Sequence, residues 1–369
     1  MSSSSPERPE GTALAEPEPP ADAPAGEAPA AAPHAGSPLR SVARALSFRN
    51  ISAVYVGIGF LILFTIWVPD LFWTQTTWKT LIGEQAIVAI VAVGLVVPLA
   101  AGVYDLSIGM AVGLGSMMVA WLIGDQGMAI VPAILIAVLA GCGVGVINGI
   151  MVTRFNIDSF IATLAMTSVL TAVVVAISNG EQIIGLPASF SDIAATEGPF
   201  GVTLPFWIML GVAVVAWYLL EHTPPGRRTY ATGGNADAAR LTGVRTRLVI
   251  VVALIVGSAV AAFAGVLVTA RSGASAPDVG AGYLLPAFAA AFLGSTQIRN
   301  GQFNVWGTVL AVYVLAIGVK GLQLAGAPIW LPDMFNGVAL AVAVGMARWR
   351  RRPRSAAWRR RVLQPRGGS

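Results

Sequence analysis

The sequence predicts an all-α, polytopic membrane protein with about ten transmembrane helices and both termini in the cytosol. Three observations carry that prediction. Hydrophobic residues make up 56% of the chain and charged residues 11%, where a soluble domain carries about 25% charged residues. Apolar runs recur at close to the ~20 residues needed to cross ~30 Å of hydrocarbon. Arginine and lysine collect in alternate connections between those runs, as they do in cytoplasmic loops.

The runs fall at 51–69, 81–101, 106–123, 128–152, 159–178, 204–220, 248–270, 282–297, 305–323 and 333–347. The eighth is short and contains Pro286, so a full span and a broken or re-entrant helix both stay open. With the N-terminus inside and the runs alternating, 19 basic residues fall on the cytosolic side: Arg40, Arg44 and Arg49, Arg154, five between 221 and 247, Arg299, and nine from Arg348 to Arg366. Three fall outside: Lys79, Arg271 and Lys320. The asymmetry argues for an even number of spans rather than for ten in particular. The longest outside connection, 179–203, carries Glu181, Asp192 and Glu197 and no basic residue.

Residues 1–38 are rich in Ser, Pro, Ala and Glu, a composition that buries too little apolar surface to fold, and read as a disordered tail. The transmembrane domain follows over 39–347, and a basic cytosolic tail over 348–369. The tail run Arg348-Trp349-Arg350-Arg351-Arg352 suits an anchor on anionic lipid, at about 1 kcal/mol per basic residue, or a partner-binding segment. The net charge of +5 therefore reads as topology and not as a sign of nucleic acid. Cys142 lies in an apolar run and reads as a small buried residue. His34 and His222 stand apart, which argues against a histidine-based metal site.

Glycines are dense in the third and fourth runs: Gly109, Gly113 and Gly115, then Gly141, Gly143, Gly145 and Gly149. Small residues let helix backbones approach closely in lipid, so these read as packing positions. Gly141-x-x-x-Gly145-x-x-x-Gly149 also suits contact with a second copy.

Asp105 is the polar residue that most invites a functional reading, because almost no loop separates the runs on either side of it. A carboxylate at membrane depth costs about 2.5–3.5 kcal/mol and should face protein or water. It either lines a hydrophilic path or, with Ser107, caps the following helix; the two roles can coexist. Glu84 and Lys320 lie near outer ends of spans, where snorkelling accounts for them. A phosphate-binding P-loop needs Gly-x-x-x-x-Gly-Lys-Ser/Thr, and neither lysine, Lys79 or Lys320, follows a glycine. The chain therefore carries no ATPase site of that kind, and neither a nucleophile elbow, a metal-ligand cluster nor a pair of catalytic carboxylates is visible.

The hydrophilic island 221–247 interrupts this apolar chain. It holds Arg227, Arg228, Arg240, Arg245 and Arg247 against Glu221 and Asp237, with a short helix-forming run from Ala236 to Leu241 between glycines. A folded basic loop of this kind is a place for another protein to push.

Four ordered blocks resemble the ribose-type permeases of bacterial ABC importers. Gly102-Val103-Tyr104-Asp105-Leu106-Ser107-Ile108-Gly109 is similar to that family's Gly-Gly-Ile-Asp-Leu-Ser-Val-Gly signature. Gly145 to Gly149 with Phe155 to Leu164 resembles its Gly-x-Ile-Asn-Gly…Phe-Ile-x-Thr-Leu stretch. The island resembles its Gly-Gly-Asn-x-x-Ala-Ala-Arg-Leu-Ser-Gly-Ile motif, and Gly294 to Thr308 its Gly-Gly-Thr…Trp-Gly-Thr ending. The likeness runs from about residue 50 to about 347. It departs at Val103 and Tyr104, at Asp158, and at Tyr283-Leu284-Leu285-Pro286-Ala287.

The resemblance implies a permease subunit of a bacterial cytoplasmic-membrane importer that moves a monosaccharide or related polyol by alternating access. It implies a second permease copy, identical or not, around a central path; a separate ABC ATPase that hydrolyses the ATP, with no cofactor bound by this chain; and an extracytoplasmic sugar-binding protein. Asp105, Ser107, Asn148 and Thr163 become candidate path residues. Gly233, Gly234, Asn235, Ala238, Ala239, Arg240, Leu241 and Gly243 become candidate ATPase-coupling residues. The alternatives are an ion- or proton-coupled secondary transporter using Asp105 and Glu84, and an ABC permease for a non-sugar solute such as a nucleoside.

Overall fold

The computed structural model describes residues 52–298 and 301–351, with side chains over 54–298 and 301–346. The N-terminal tail, Arg40, Arg44, Arg49, Arg299 and the tail beyond Arg351 lie outside the described residues. The chain runs through α1 (Ser52–Trp67), α2 (Pro69–Phe72), α3 (Gln75–Ala100), α4 (Ile108–Gly124), α5 (Ile130–Thr153), α6 (Ser159–Ser178) and α7 (Ala188–Ala195). A 3₁₀ turn follows at Pro199–Gly201, then α8 (Leu204–His222), α9 (Pro224–Gly234), α10 (Ala236–Leu241), α11 (Thr246–Ser272), α12 (Ala281–Gly294), α13 (Val305–Leu324) and α14 (Leu331–Arg351).

Every predicted run became a helix. Six helices, α3, α5, α6, α8, α11 and α13, have the length and apolarity to cross a membrane, while α1, α4, α12 and α14 hold shorter apolar segments. The 14 residues of α12 rise about 21 Å, less than the hydrocarbon thickness. Pro286 sits inside this helix without ending it. The connection 179–203 is not plain loop, because α7 forms within it and buries Phe190 and Ala194.

The 27-residue helix α11 is the axis of the bundle, packing on α3, α4 and α5. Small residues make the approach possible. A Cβ on Gly145 would strike Leu254 and Ile255 of α11, one on Gly141 would strike Ser258 and Ala262, and one on Gly149 would press on Val251. On the other side, Gly115 of α4 lies against Ala262, and Gly265 of α11 against Val112. The Gly141–Gly145–Gly149 stripe is therefore covered by the chain's own α11 and does not await a second copy. Gly143 departs from the packing reading, since the space beside it is open. Cys142 is half-buried, because it shares that outward side of α5.

Ile87, Ile90 and Leu95 of α3, Ile108 of α4 and Leu267 of α11 are fully enclosed in the main core. At the other end of α8, His222 packs edge-on to Trp217 at 4.6 Å and stacks on Tyr218 at 5.7 Å, a structural role. The α8–α9 corner is tight: a Cβ on Gly226 would meet the carbonyls of Leu219 and Leu220.

Replacing Gly145 with leucine should cost about 1–3 kcal/mol or more through overpacking, whereas Gly143→Leu should be tolerated. Thermal unfolding of the two variants in detergent checks this. Equal midpoints would mean that the α5–α11 contact is not close.

Candidate functional site

The site is built around the break between α3 and α4, residues 101–107. The helix α3 cannot continue, because Gly102 takes φ +84°, a left-handed conformation that favours glycine. A side chain there would also strike Gly233 of the island. The break leaves backbone groups inside an apolar bundle, where each needs a partner.

Those partners come from neighbouring helices. The Tyr104 N–H donates to Ser159 Oγ at 3.1 Å, and the Leu106 N–H donates to Thr163 Oγ1 at 3.0 Å. The Thr163 hydroxyl also lies 2.7 Å from the Ser159 carbonyl, and Thr167 Oγ1 donates to the Leu106 carbonyl at 3.2 Å. Thus the first turns of α6 take the place of a helix's own hydrogen bonds.

Asp105 is fully buried. Its Oδ1 accepts from the Ser107 N–H at 3.0 Å and from the Ser107 hydroxyl at 2.5 Å. Its Oδ2 accepts from Ser258 Oγ of α11 at 3.4 Å. With its proton directed at Asp105, the Ser107 oxygen is left to accept, and Asn148 Nδ2 of α5 donates to it at 2.8 Å. Asn148 Oδ1 is buried with no hydrogen-bond partner among the described residues. Asp105 thus forms a turn with the residue two ahead of it, and the N-cap position of α4, Ser107, makes no side-chain cap bond. The capping role is replaced by a clamp that joins α4, α5 and α11.

All four candidate path residues, Asp105, Ser107, Asn148 and Thr163, meet in this cluster, and all four are fully buried. None of them lines a cavity beside the break. Asn148 lies five residues before the end of α5, and Ser258 lies twelve residues into α11. These positions put the cluster about 8–18 Å in from the island end.

Tyr104 is the residue that the sequence reading missed. It lines a cavity of about 720 Å³ with Phe292 and Phe303, and one of about 360 Å³ between the break and Gly233 and Gly234 of the island. Its departure from the resembled signature was the available signal. Glu84 and Lys320, read as snorkelling, are instead paired: Arg271 Nη2 lies 2.8 Å from Glu84 Oε1, and Lys320 Nζ lies 3.9 Å from Glu84 Oε2. Lys79 meets Glu197 of the 179–203 connection at 3.2 Å.

The island folds as a helical elbow. In α9, Gly226, Thr229 and Thr232 turn inward, and the Tyr230 hydroxyl donates to the Phe303 carbonyl at 2.8 Å. At its end Gly233 lies against the Ala100 carbonyl and Gly102. The helix α10 spans Ala236–Leu241, as the sequence suggested. Asn235 caps it by accepting from the Ala238 N–H at 2.9 Å, and Gly243 leaves it at φ +87°. Among its residues Ala239 alone is buried; Ala238 and Arg240 face outward, and Leu241 is 89% exposed. Among the described residues, Arg240 pairs with its helix neighbour Asp237, at 3.6 Å. No group of metal-ligating side chains occurs among the described residues.

A bundle of apolar helices with a polar, outward-facing elbow and a hydrogen-bonded break defines a multi-pass membrane protein. The comparisons give its family. The family described as branched-chain amino acid transport system / permease component matches residues 79–344, and the chain belongs to it. It is 31% identical over 276 residues to the ribose import permease protein of Escherichia coli (strain K12), covering 74% of this chain and 86% of that one. It is 30% identical over 301 residues to the L-arabinose ABC transporter permease protein of Azospirillum brasilense, covering 80% of this chain and 88% of that one. To the D-allose transport system permease protein of Escherichia coli (strain K12) it is 26% identical over 280 residues, covering 76% and 86%. No solved structure matches the chain. The resemblance to ribose-type permeases is borne out: the chain is an ABC-importer permease of the inner membrane, a transport subunit and not an enzyme.

Asp105→Ala would strand three donors, the Ser107 N–H and the hydroxyls of Ser107 and Ser258, in a buried place. We expect it to lower stability by about 1–3 kcal/mol, and Asp105→Asn, which keeps one acceptor oxygen, to cost less. Chemical denaturation of the purified chain ranks the two; Asp105→Ala unfolding no earlier than Asp105→Asn would remove the clamp from the account.

Proposed function

We propose that this chain carries a monosaccharide or related polyol across the cytoplasmic membrane by alternating access, driven by a separate ATPase that docks on the island. The observation that carries the reading is α10: a capped helix held by one buried alanine, with the rest of its surface exposed. Gly233, three residues before α10, touches the break at Ala100 and Gly102, and the break is clamped to α4, α5, α6 and α11. A push on Asn235, Ala238, Arg240 and Leu241 therefore reaches the Asp105 cluster through backbone contacts, with no flexible linker between.

The same reading places the island and both termini in the cytosol, and the Lys79–Glu197 end outside, where a sugar-binding protein delivers cargo. The permease works with a second copy of itself or of a close relative. It binds no cofactor, and ATP is hydrolysed on the partner. The permeases named for ribose, L-arabinose and D-allose support sugars as the cargo class. The secondary-transporter alternative loses support because Glu84 is paired with Arg271 and Lys320.

Co-purification with the ATPase tests the coupling surface. Arg240→Glu and Leu241→Asp should each reduce the ATPase recovered at least ~10-fold, as expected for hot-spot losses near 1.4 kcal/mol or more, with the permease still inserted and monodisperse. Undiminished recovery with both variants would move the docking surface elsewhere.

A further inference from the structure

The end of the bundle away from the island holds a cavity of about 500 Å³ walled by α3, α11, α12, α13 and α14, within the range of roughly 300–1,000 Å³ usual for small-molecule sites. It is remote from the Asp105 cluster. Glu84 on its wall lies 16 residues before the end of α3, which is about 24 Å from the island contact at Ala100.

Three polar side chains on the wall, Gln85 of α3, Tyr283 of α12 and Asn336 of α14, make no side-chain hydrogen bond to another described residue. All three are half-buried. Each amide offers donors and an acceptor, and the phenol offers one of each. Pro286 shares the wall. It lacks the N–H that would bond the Gly282 carbonyl one turn earlier, and Gly282 also lines the cavity.

The wall's charges are committed to each other. Arg271 and Glu84 pair at 2.8 Å, so a zwitterionic amino acid would have to break that pair to find its own counter-charges. A neutral molecule with several hydroxyls needs no free charge. It needs closely spaced donors and acceptors, and apolar surface for its C–H faces, which the Tyr283 ring supplies.

We propose that this cavity is a cargo-binding site for a neutral, polyhydroxylated molecule, occupied before the cargo crosses the bundle. Gln85, Tyr283 and Asn336 hold the hydroxyls, and the Arg271–Glu84 pair sets the selection against charged solutes. The assignment rests on the sugar-permease reading above and adds to it the place where the chain itself meets its cargo.

The test uses the full chain in lipid nanodiscs with Cys142→Ser and Val319→Cys, a half-buried wall position that holds no hydroxyl, labelled by a small maleimide with millimolar D-ribose, L-arabinose, D-allose or leucine present. Val88→Cys, on the same wall, serves as a second labelling position should Val319→Cys fail to fold. Uptake by the intact importer in proteoliposomes is measured in parallel and shows which solute is carried. The sugar that is carried should slow labelling at least ~3-fold, leucine should not, and Gln85→Ala added to Val319→Cys should raise the sugar concentration needed for half-protection roughly 3–10-fold, the loss of one hydrogen bond. Uptake of a sugar with no protection at either cysteine overturns the site and leaves the sugar reading standing. Uptake of leucine and of no sugar overturns both. Equal protection by leucine and sugar overturns the neutral-cargo selection.

Discussion

The structure depends on satisfying the backbone of residues 101–107 inside an apolar bundle. Lipid offers no hydrogen bonds, so a chain that leaves helical geometry there needs partners from protein. Here the partners are three hydroxyl side chains and one carboxylate: Ser159, Thr163 and Thr167 serve the non-helical stretch, and Asp105 serves the turn into α4. That requirement explains why α6 begins where it does, why Ser258 interrupts the apolar face of α11, and why Asn148 stands among glycines on α5. The carboxyl group of Asp105 is tolerated because three donors surround it, not because water reaches it.

The glycines perform the complementary task. They bring α4, α5 and α11 close enough for short side chains to touch across helix boundaries. Ser107 reaches Asn148 and Asp105 reaches Ser258 only because Gly141, Gly145 and Gly265 remove the bulk that would hold the axes apart. Polar clamp and apolar seam are thus one construction, and losing either undoes the other.

Much of this was legible in sequence, and the rest was hidden for identifiable reasons. The helices were legible because length and apolarity are local properties, and α10 because Asn235 and the flanking glycines are local stop and start signals. Asp105 and Asn148 stood out as polar residues in apolar runs, but their burial did not, since it depends on Ser258, more than 150 residues later in the chain. The glycine stripe announced close packing without naming its partner, because the same small residues suit a neighbour in the chain or in another copy. Glu84 was misread for the same reason: its cations come from α11 and α13, and nothing near it in sequence foretells them. Nothing local distinguishes Tyr104 from an ordinary membrane aromatic, although the tyrosine faces open space and the carboxylate beside it does not.

The two ends of the bundle are held by forces that respond differently to their surroundings. At the island end the contacts are buried and short, beyond the reach of dissolved ions. At the other end one carboxylate, Glu84, ties α3 to both α11 and α13 with its side chain 42% exposed. Exposed pairs of this kind weaken as ionic strength rises, since the screening length falls from about 8 Å at physiological salt to about 3 Å at 1 M. High salt therefore weakens the ties at one end of the bundle and leaves those at the other as they are, so the two ends differ in how they answer to the medium.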